Sequence, residues 1–296
     1  MAATFPICHL DGQWLPLAEA RISPLDRSFL FGDGVYEVVP VFLGRPFRFV
    51  EHFERLGRSC AALRLTDPYD LGGWRKLVGG LLERNGIGRP TDSTDSYVYV
   101  QVSRGADAGR AHAPLPQIAP TVFAFAAPLA RPGAKQLAAG LSCITAPDIR
   151  WGRCDIKSVA LLGNVLQKQL GCDVGADETI LLRDGLMMEA TASTVHVVLG
   201  GVIVTPPNST AILPGTTRSV VEELADRLGI ARESRPVTEV EMRAADEIWL
   251  ASATKTVAAV TRLDGQPVGS GSPGPVWQRL HAGFGQLQRE LAAEPW

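Results

Sequence analysis

The sequence predicts an α+β fold in two domains, and three observations predict it. The chain has 296 residues, 46% hydrophobic and 20% charged, enough for two cores of ordinary size without a disulfide staple. Strand-like and helix-like stretches are mixed without strict β-α alternation, which argues against a doubly wound parallel sheet. The P-L-A-R-P-G run at residues 128–133 interrupts any regular element. It reads as a linker between a smaller α/β N-terminal domain, residues 1–127, and a larger C-terminal domain, residues 134–296.

Taken in order, residues 5–17 alternate around Asp11-Gly12, the signature of a tight hairpin. Val35 to Val39 are β-formers after a glycine-rich turn, with Gly44 to Pro46 as the turn to a partner strand. Phe53, Leu56, Cys60 and Leu63 then recur at helical spacing, with Arg55 and Arg58 off that stripe. A second helix covers residues 71–85, ending near Gly86. Residues 96–103 alternate as a half-buried strand, residues 104–116 form a loop, and residues 121–127 make another strand.

Beyond the linker, residues 158–170 place Val159, Leu162, Val165, Leu166 and Leu170 on one helical face. Residues 178–182 read as a strand, Asp184-Gly185 as a tight turn, and residues 187–199 and 202–205 as a hairpin across Gly200-Gly201. A helix follows L-P-G-T-T-R, with Ser219 and Glu222 fitting a capping box and Gly229 ending it. Residues 247–252 read as a buried strand, and Val276, Leu280, Phe284, Leu287 and Leu291 as a final amphipathic helix.

Composition removes several function classes. A net charge of -2 and a pI near 6.2 give no basic footprint for nucleic acid. Cys8, Cys60, Cys143, Cys154 and Cys172 are odd in number and lack C-x-x-C spacing, so neither a disulfide framework nor a zinc site is expected. The N-terminus lacks the marks of a signal peptide, and no uncharged apolar run approaches spanning length; the expected location is cytoplasmic, with no membrane partner.

Lysine is scarce: besides Lys157 there are only Lys76, Lys135, Lys168 and Lys255. Lys157 sits in D-I-R-W-G-R-C-D-I-K-S, where a strand-like run gives way to an apolar helix, and a partly desolvated amine there is a candidate for Schiff-base chemistry. From this segment alone, an exposed lysine at a helix start is the stronger reading. If Lys157 bonds a pyridine aldehyde, the ring nitrogen needs an acid beside it, because the protonated ring is the electron sink. Glu189, in a strand between Met187, Met188 and small residues, is a poor place for an unpaired carboxylate, although a strand-edge glutamate facing solvent would also look like this.

A phosphate needs a cradle. Gly215, Thr216 and Thr217 precede the capped helix, and their amides at the positive end of its dipole favour an anion; Arg55 offers a charge, and Ser252 and Thr254 in L-A-S-A-T offer hydroxyls. Arg110-Ala111-His112 pairs a guanidinium fork with a neighbouring donor suited to a carboxylate, and Tyr36 could add a hydroxyl. Arg55 alone reads equally as a solvated arginine, and Arg110 and His112 as surface residues.

In order and spacing, G-D-G-V-Y-E-V-V, H-F-E-R-L, R-A-H, R-W-G-R-C-D-I-K-S, L-L-G-N-V-L, a strand glutamate and L-P-G-T-T-R resemble the class IV, fold type IV, pyridoxal-phosphate aminotransferases, from about Leu10 to Val260. Within that family the likeness is strongest to the D-amino-acid branch. The resemblance implies a two-domain fold type IV architecture with the active site at the domain interface, pyridoxal 5'-phosphate as cofactor and a homodimer. It implies Lys157 as Schiff-base lysine, in the C-terminal domain, and Glu189 as ring-nitrogen partner. Arg55, Thr216, Thr217, Ser252 and Thr254 would be cofactor contacts. Tyr36, Arg110 and His112 would hold the substrate, the R-x-H loop being a candidate for donation across the dimer.

The implied reaction transfers the amino group of a D-amino acid to an α-keto acid such as 2-oxoglutarate or pyruvate. Aminodeoxychorismate lyase and branched-chain L-amino-acid aminotransferase are the alternatives within the fold. Two departures stand out: Thr194, Val195 and His196 occupy a position where the family has asparagine, an aliphatic residue and an aromatic, and Ala253 stands where a hydroxyl meets phosphate. His196 itself reads as a packed core histidine.

Overall fold

The computed structural model describes residues 4–87 and 95–293; residues 1–3, 88–94 and 294–296, which the expected domains include, lie outside the described residues. The chain forms two compact units. One is Met1–Arg131 with Ile156–Leu161 and Gln288–Trp296, and the other is Pro132–Asp155 with Leu162–Leu287.

In the first unit, β1 (Ile7–Leu10) and β2 (Gln13–Pro16) are joined by Asp11 and Gly12, both at positive φ as a right-twisted two-residue hairpin requires. There follow α1 (Arg27–Phe31), β3 (Gly34–Phe42), β4 (Arg45–Pro46), α2 (Phe49–Ala62), α3 (Leu71–Arg84), β5 (Ser96–Ser103) and β6 (Thr121–Pro128). The sheet has six strands in the order β2-β1-β6-β5-β3-β4. On β5, Val98, Val100 and Val102 alternate inward to meet Val35 and Val39 of β3, Phe53, Leu56 and Cys60 of α2, and Trp74, Leu77 and Leu81 of α3.

The second unit carries α4 (Ala134–Ala139), β7 (Leu141–Pro147), α5 (Leu162–Asp173), β8 (Glu178–Arg183), β9 (Leu186–Ala190), β10 (Thr194–Leu199) and β11 (Val202–Thr205). After these come α6 (Thr216–Arg227), β12 (Arg232–Ser234), α7 (Glu239–Arg243), β13 (Glu247–Ser252), β14 (Thr256–Leu263), β15 (Gln266–Pro267) and α8 (Pro275–Ala293), whose residues from Gln288 onward belong to the first unit. Nine strands form a mixed sheet, β12-β11-β10-β13-β14-β7-β8-β9 with β15 on β14, parallel where β7 meets β14 and β8 and where β11 meets β12. Among the described residues no helix is long and apolar enough to cross a membrane, and all five cysteines are free thiols, only Cys172 being exposed.

The structure corrects several expectations. The helix expected over residues 158–170 starts only at Leu162, and the lysine segment belongs to the first unit. The cause is backbone pairing: the Tyr36 N–H donates to the Lys157 carbonyl at 3.0 Å and the Val159 N–H to the Gly34 carbonyl at 3.0 Å, so β3 holds residues 157–159 extended. The apolar face of α5 lies outward rather than in a core, with Leu162 at 71% and Val165 at 60% exposure. Residues 187–199 form two strands, interrupted at residues 191–193.

No capping box exists at Ser219, because α6 begins three residues earlier behind Gly215 and Glu222 pairs with Arg218. Arg55, off the apolar stripe of α2, is buried at 4% exposure on a second, polar face. The short elements α1, α4, α7 and β12 lack periodic apolar residues and went unseen.

Gly105, just after β5, takes φ +103, and a Cβ there would meet the Ala119 carbonyl oxygen at 1.9 Å. Gly105→Ala is expected to cost at least ~2 kcal/mol, from the positive φ and the backbone clash together. Urea unfolding should show a lower midpoint at unchanged slope.

Candidate active site

Within the first unit the site is built on β3 and α2. Along β3, Val35 and Val39 face the core, while Glu37, at 0% exposure, would be an uncompensated buried charge if left alone. α2 compensates it. His52, Arg55 and Ser59, spaced three and four residues apart, share one helix face. Arg55 grips the Glu37 carboxylate with Nε at 2.7 Å and Nη2 at 2.8 Å, and His52 Nδ1 lies 2.7 Å from Glu37 Oε2. Burial disfavours the charge on Glu37, but Arg55 and His52 hold its carboxyl well below the usual range.

The third residue of that face touches the lysine. Ser59 Oγ accepts the Lys157 N–H at 3.2 Å, and the two β3 contacts fix the next two peptides. Lys157 Nζ therefore stands 4.1 Å from the centre of the Tyr36 ring, and Tyr36 stacks on Tyr99 at 5.6 Å. Among the described residues the ammonium makes no hydrogen bond or ion pair. Tyr36, Arg55 and Lys157 are thus brought together around β3.

Arg110 and His112 lie elsewhere in this unit, exposed on the loop after β5. The Arg110 guanidinium sits 5.4 Å over the Phe31 ring and the His112 ring meets Phe31 edge-on at 5.6 Å. No hydrogen bond, ion pair or ring contact among the described residues joins them to Tyr36 or Lys157.

In the second unit Glu189 is a buried carboxylate on β9, in ion-pair contact with Arg150. Arg150 is itself gripped by Asp148, with Nε at 2.9 Å and Nη2 at 2.8 Å, and donates to the Ala211 carbonyl at 3.1 Å. The Leu213 N–H reaches Glu189 Oε2 at 3.3 Å, so the segment leading into α6 is tied to the carboxylate. α6 begins behind Gly215 with no side-chain cap, and Thr216 and Thr217 are buried in its first turn. A Cβ at Gly215 would meet Thr194 Oγ1 at 2.9 Å, which is why a glycine stands there.

Ser252 and Thr254 lie at the β13–β14 turn, where Ser252 Oγ accepts the Lys255 N–H at 3.2 Å. His196 is fully buried beside Thr205 Oγ1 at 2.6 Å, and burial, with Arg218 nearby, pushes it down to about 3, so it is a neutral core residue. Arg153 is a surface residue paired with Asp155, and the buried Cys154 donates its thiol to the Trp151 carbonyl at 3.3 Å.

Each unit carries groups that fit part of pyridoxal phosphate. In the first, a lysine amine that makes no hydrogen bond or ion pair among the described residues suits an aldehyde. In the second, the start of α6, without a side-chain cap, suits a phosphate, and Glu189 is a carboxylate that burial disfavours more than Arg150 favours, a place that gains from a second cation. Glu37 and Arg150 were missed from the sequence, although signals existed: a charge among apolar strand formers in V-Y-E-V-V, and an arginine two residues after Asp148.

The family profile described as amino-transferase class IV matches residues 34–263. A D-alanine aminotransferase of Bacillus licheniformis is 38% identical over 284 residues, covering 96% of each chain. One of Staphylococcus haemolyticus is 36% identical, covering 93% of this chain and 95% of its own. Among solved structures, the branched-chain amino acid aminotransferase of Escherichia coli matches with a TM-score of 0.89 at 23% identity, covering 100% of this chain and 98% of its own. A fold IV transaminase of Curtobacterium pusillum matches with 0.78 at 25% identity, covering 96% of this chain and 94% of its own.

Burial pushes the Glu189 carboxyl up to about 7, with Arg150 opposing. In the cofactor-free protein the folded state then keeps this proton to higher pH than the unfolded chain does. Its stabilising contribution is present below the unfolded value of 4.5 and is lost as pH rises toward 7. The melting-temperature difference between wild type and Glu189→Gln should therefore move against the wild type from pH 5 to pH 8; a flat difference would show an unperturbed carboxyl.

Proposed function

The chain is a class IV aminotransferase, a pyridoxal-phosphate enzyme, and from that premise we propose that it moves the amino group of a D-amino acid, D-alanine first, onto an α-keto acid such as 2-oxoglutarate or pyruvate. The observation that carries this reading is the likeness, along nearly the whole chain, to proteins named D-alanine aminotransferase. Lys157 is assigned to the cofactor aldehyde and Glu189 to its ring nitrogen. Thr216 and Thr217 take the phosphate at the start of α6, with Ser252 and Thr254 from the β13–β14 turn. Arg55 adds a positive charge whose direction is set by Glu37 and His52.

When bound, pyridoxal phosphate supplies an electron sink for the charge that develops at the substrate Cα. The protein supplies the rest. Lys157 would act as general base at the substrate Cα, taking its proton on Nζ, and the grip of β3 and Ser59 on its main chain keeps the amine in place. Glu189, braced by Arg150, stabilises the ring proton. Arg110, His112 and Tyr36 take the substrate carboxylate, the guanidinium fork matching its two oxygens.

The outward face of α5 supports a homodimer: Leu162, Val165, Leu166 and Leu170 are all exposed at 48% or more on one helix face, an apolar surface that a second copy would cover. A cytoplasmic setting goes with this reading.

Three measurements test it. D-alanine with 2-oxoglutarate should yield pyruvate and glutamate, while L-leucine reacts far more slowly and aminodeoxychorismate releases no pyruvate; preference for L-leucine would move the chain to the branched-chain reading. Lys157→Ala should lose turnover while retaining part of the cofactor, and near-wild-type turnover would end the lysine's assignment. Arg110→Ala should raise KM for amino acids by roughly tenfold or more and leave carboxylate-free amines little changed, on the scale of a charge-assisted bidentate contact; equal effects would remove Arg110 from the carboxylate site.

A further inference from the structure

The first residue of α1, Arg27, has no place in the assignments above, yet it is buried at 3% exposure and its guanidinium is bonded on every side. Its Nη1 donates to the Ala111 carbonyl at 2.7 Å and its Nη2 to the His112 carbonyl at 2.7 Å. The same guanidinium reaches Asp33 through Nε at 2.9 Å and Asp107 through Nη1 at 3.2 Å. It also lies 4.8 Å over the Phe31 ring, the ring that Arg110 and His112 touch.

We infer that Arg27 is the positioning residue of the Arg110–Ala111–His112 segment, fixing the side chains that meet the substrate carboxylate without touching substrate itself. This deepens the aminotransferase reading and rests on it. The segment is exposed and contributes no residue to the core, so little besides these bonds holds its backbone. The two carbonyls that Arg27 holds belong to adjacent peptides at the middle and end of Arg-Ala-His, so the directions in which Arg110 and His112 leave the chain follow from the guanidinium plane.

The anchor beneath is equally tied. Asp33 takes two bonds from Arg104, at 2.7 and 3.0 Å, and Arg104 donates to the Leu63 carbonyl at 2.7 Å, which connects the loop to the end of α2. Asp107 accepts the Ala108 N–H at 2.7 Å and the Leu115 N–H at 3.4 Å, closing the loop on both sides. Lysine keeps the charge but lacks the planar fork that reaches two carbonyls and two carboxylates at once.

The test compares wild type, Arg27→Lys and Arg27→Gln as cofactor-loaded enzyme. In Arg27→Lys, KM for D-alanine should rise roughly ten- to a hundredfold, as expected for a misplaced binding group, with kcat changed far less and kcat/KM for 1-phenylethylamine, which has no carboxylate, nearly as in wild type. Hydrogen exchange at the amides of residues 108–115 should accelerate in both variants while β5 stays protected, a readout that needs no turnover. An unchanged KM for D-alanine, or equal losses on both substrates, would overturn the inference, as would unaltered exchange in the loop. Wild type that fails on D-alanine would instead overturn the D-amino-acid reading, and the exchange data would still decide whether Arg27 holds the segment.

Discussion

A reactive amine is useful only if its main chain is fixed, and here the edge of β3 does the fixing. Gly34 and Tyr36 exchange backbone hydrogen bonds with residues 157 and 159, and Ser59 takes the remaining Lys157 N–H. Three consecutive peptides are thereby held in a sheet-like conformation, where the apolar spacing of Val159 and Leu162 would otherwise favour helix. The position of Lys157 follows from that pairing, and its ammonium then meets the face of the Tyr36 ring. Glu37 belongs to the same arrangement: its ion pair with Arg55 pins α2, and α2 presents Ser59.

The two buried glutamates show how one residue type serves opposite ends. Glu37 is surrounded by donors that satisfy it, so it stays ionised and rigid and orients Arg55. Glu189 is less well supplied: Arg150 is shared with Asp148, and burial outweighs it. A carboxylate left in this condition interacts strongly with a protonated nitrogen, which is the property its proposed role requires. Asp148 limits the effect by claiming two of Arg150's bonds.

Much of this was legible in the sequence, for definite reasons. The hairpins at Asp11-Gly12, Asp184-Gly185 and Gly200-Gly201 were readable because positive-φ pairs leave a local mark. So was β5, whose alternation is local too. What failed to show was whatever depends on a distant strand. Nothing in V-A-L-L announces that β3 will claim the residues before it, and the outward face of α5 looks the same in sequence as an inward one. Ser219 and Glu222 have the spacing of a capping box, but α6 opens at Thr216 behind Gly215, which supplies no side-chain cap. Lys157, Glu189 and the α6 start could be proposed because their residue types are unusual for their places; Arg27 could not, because an arginine carries no sign of whether it faces water or a carbonyl.

The lysine segment also sets an order of events during synthesis. β4 is only two residues long, so it pairs with β3 at Val41 and Phe42 and leaves the Gly34–Tyr36 end of that edge open. That end is closed by residues that emerge more than a hundred positions later, after the chain has already entered the second unit. Until residue 159 leaves the ribosome, the nascent first unit carries a bare strand edge, the kind of surface that invites pairing with another chain. The lysine proposed to do the chemistry is thus carried on the segment that finishes the sheet.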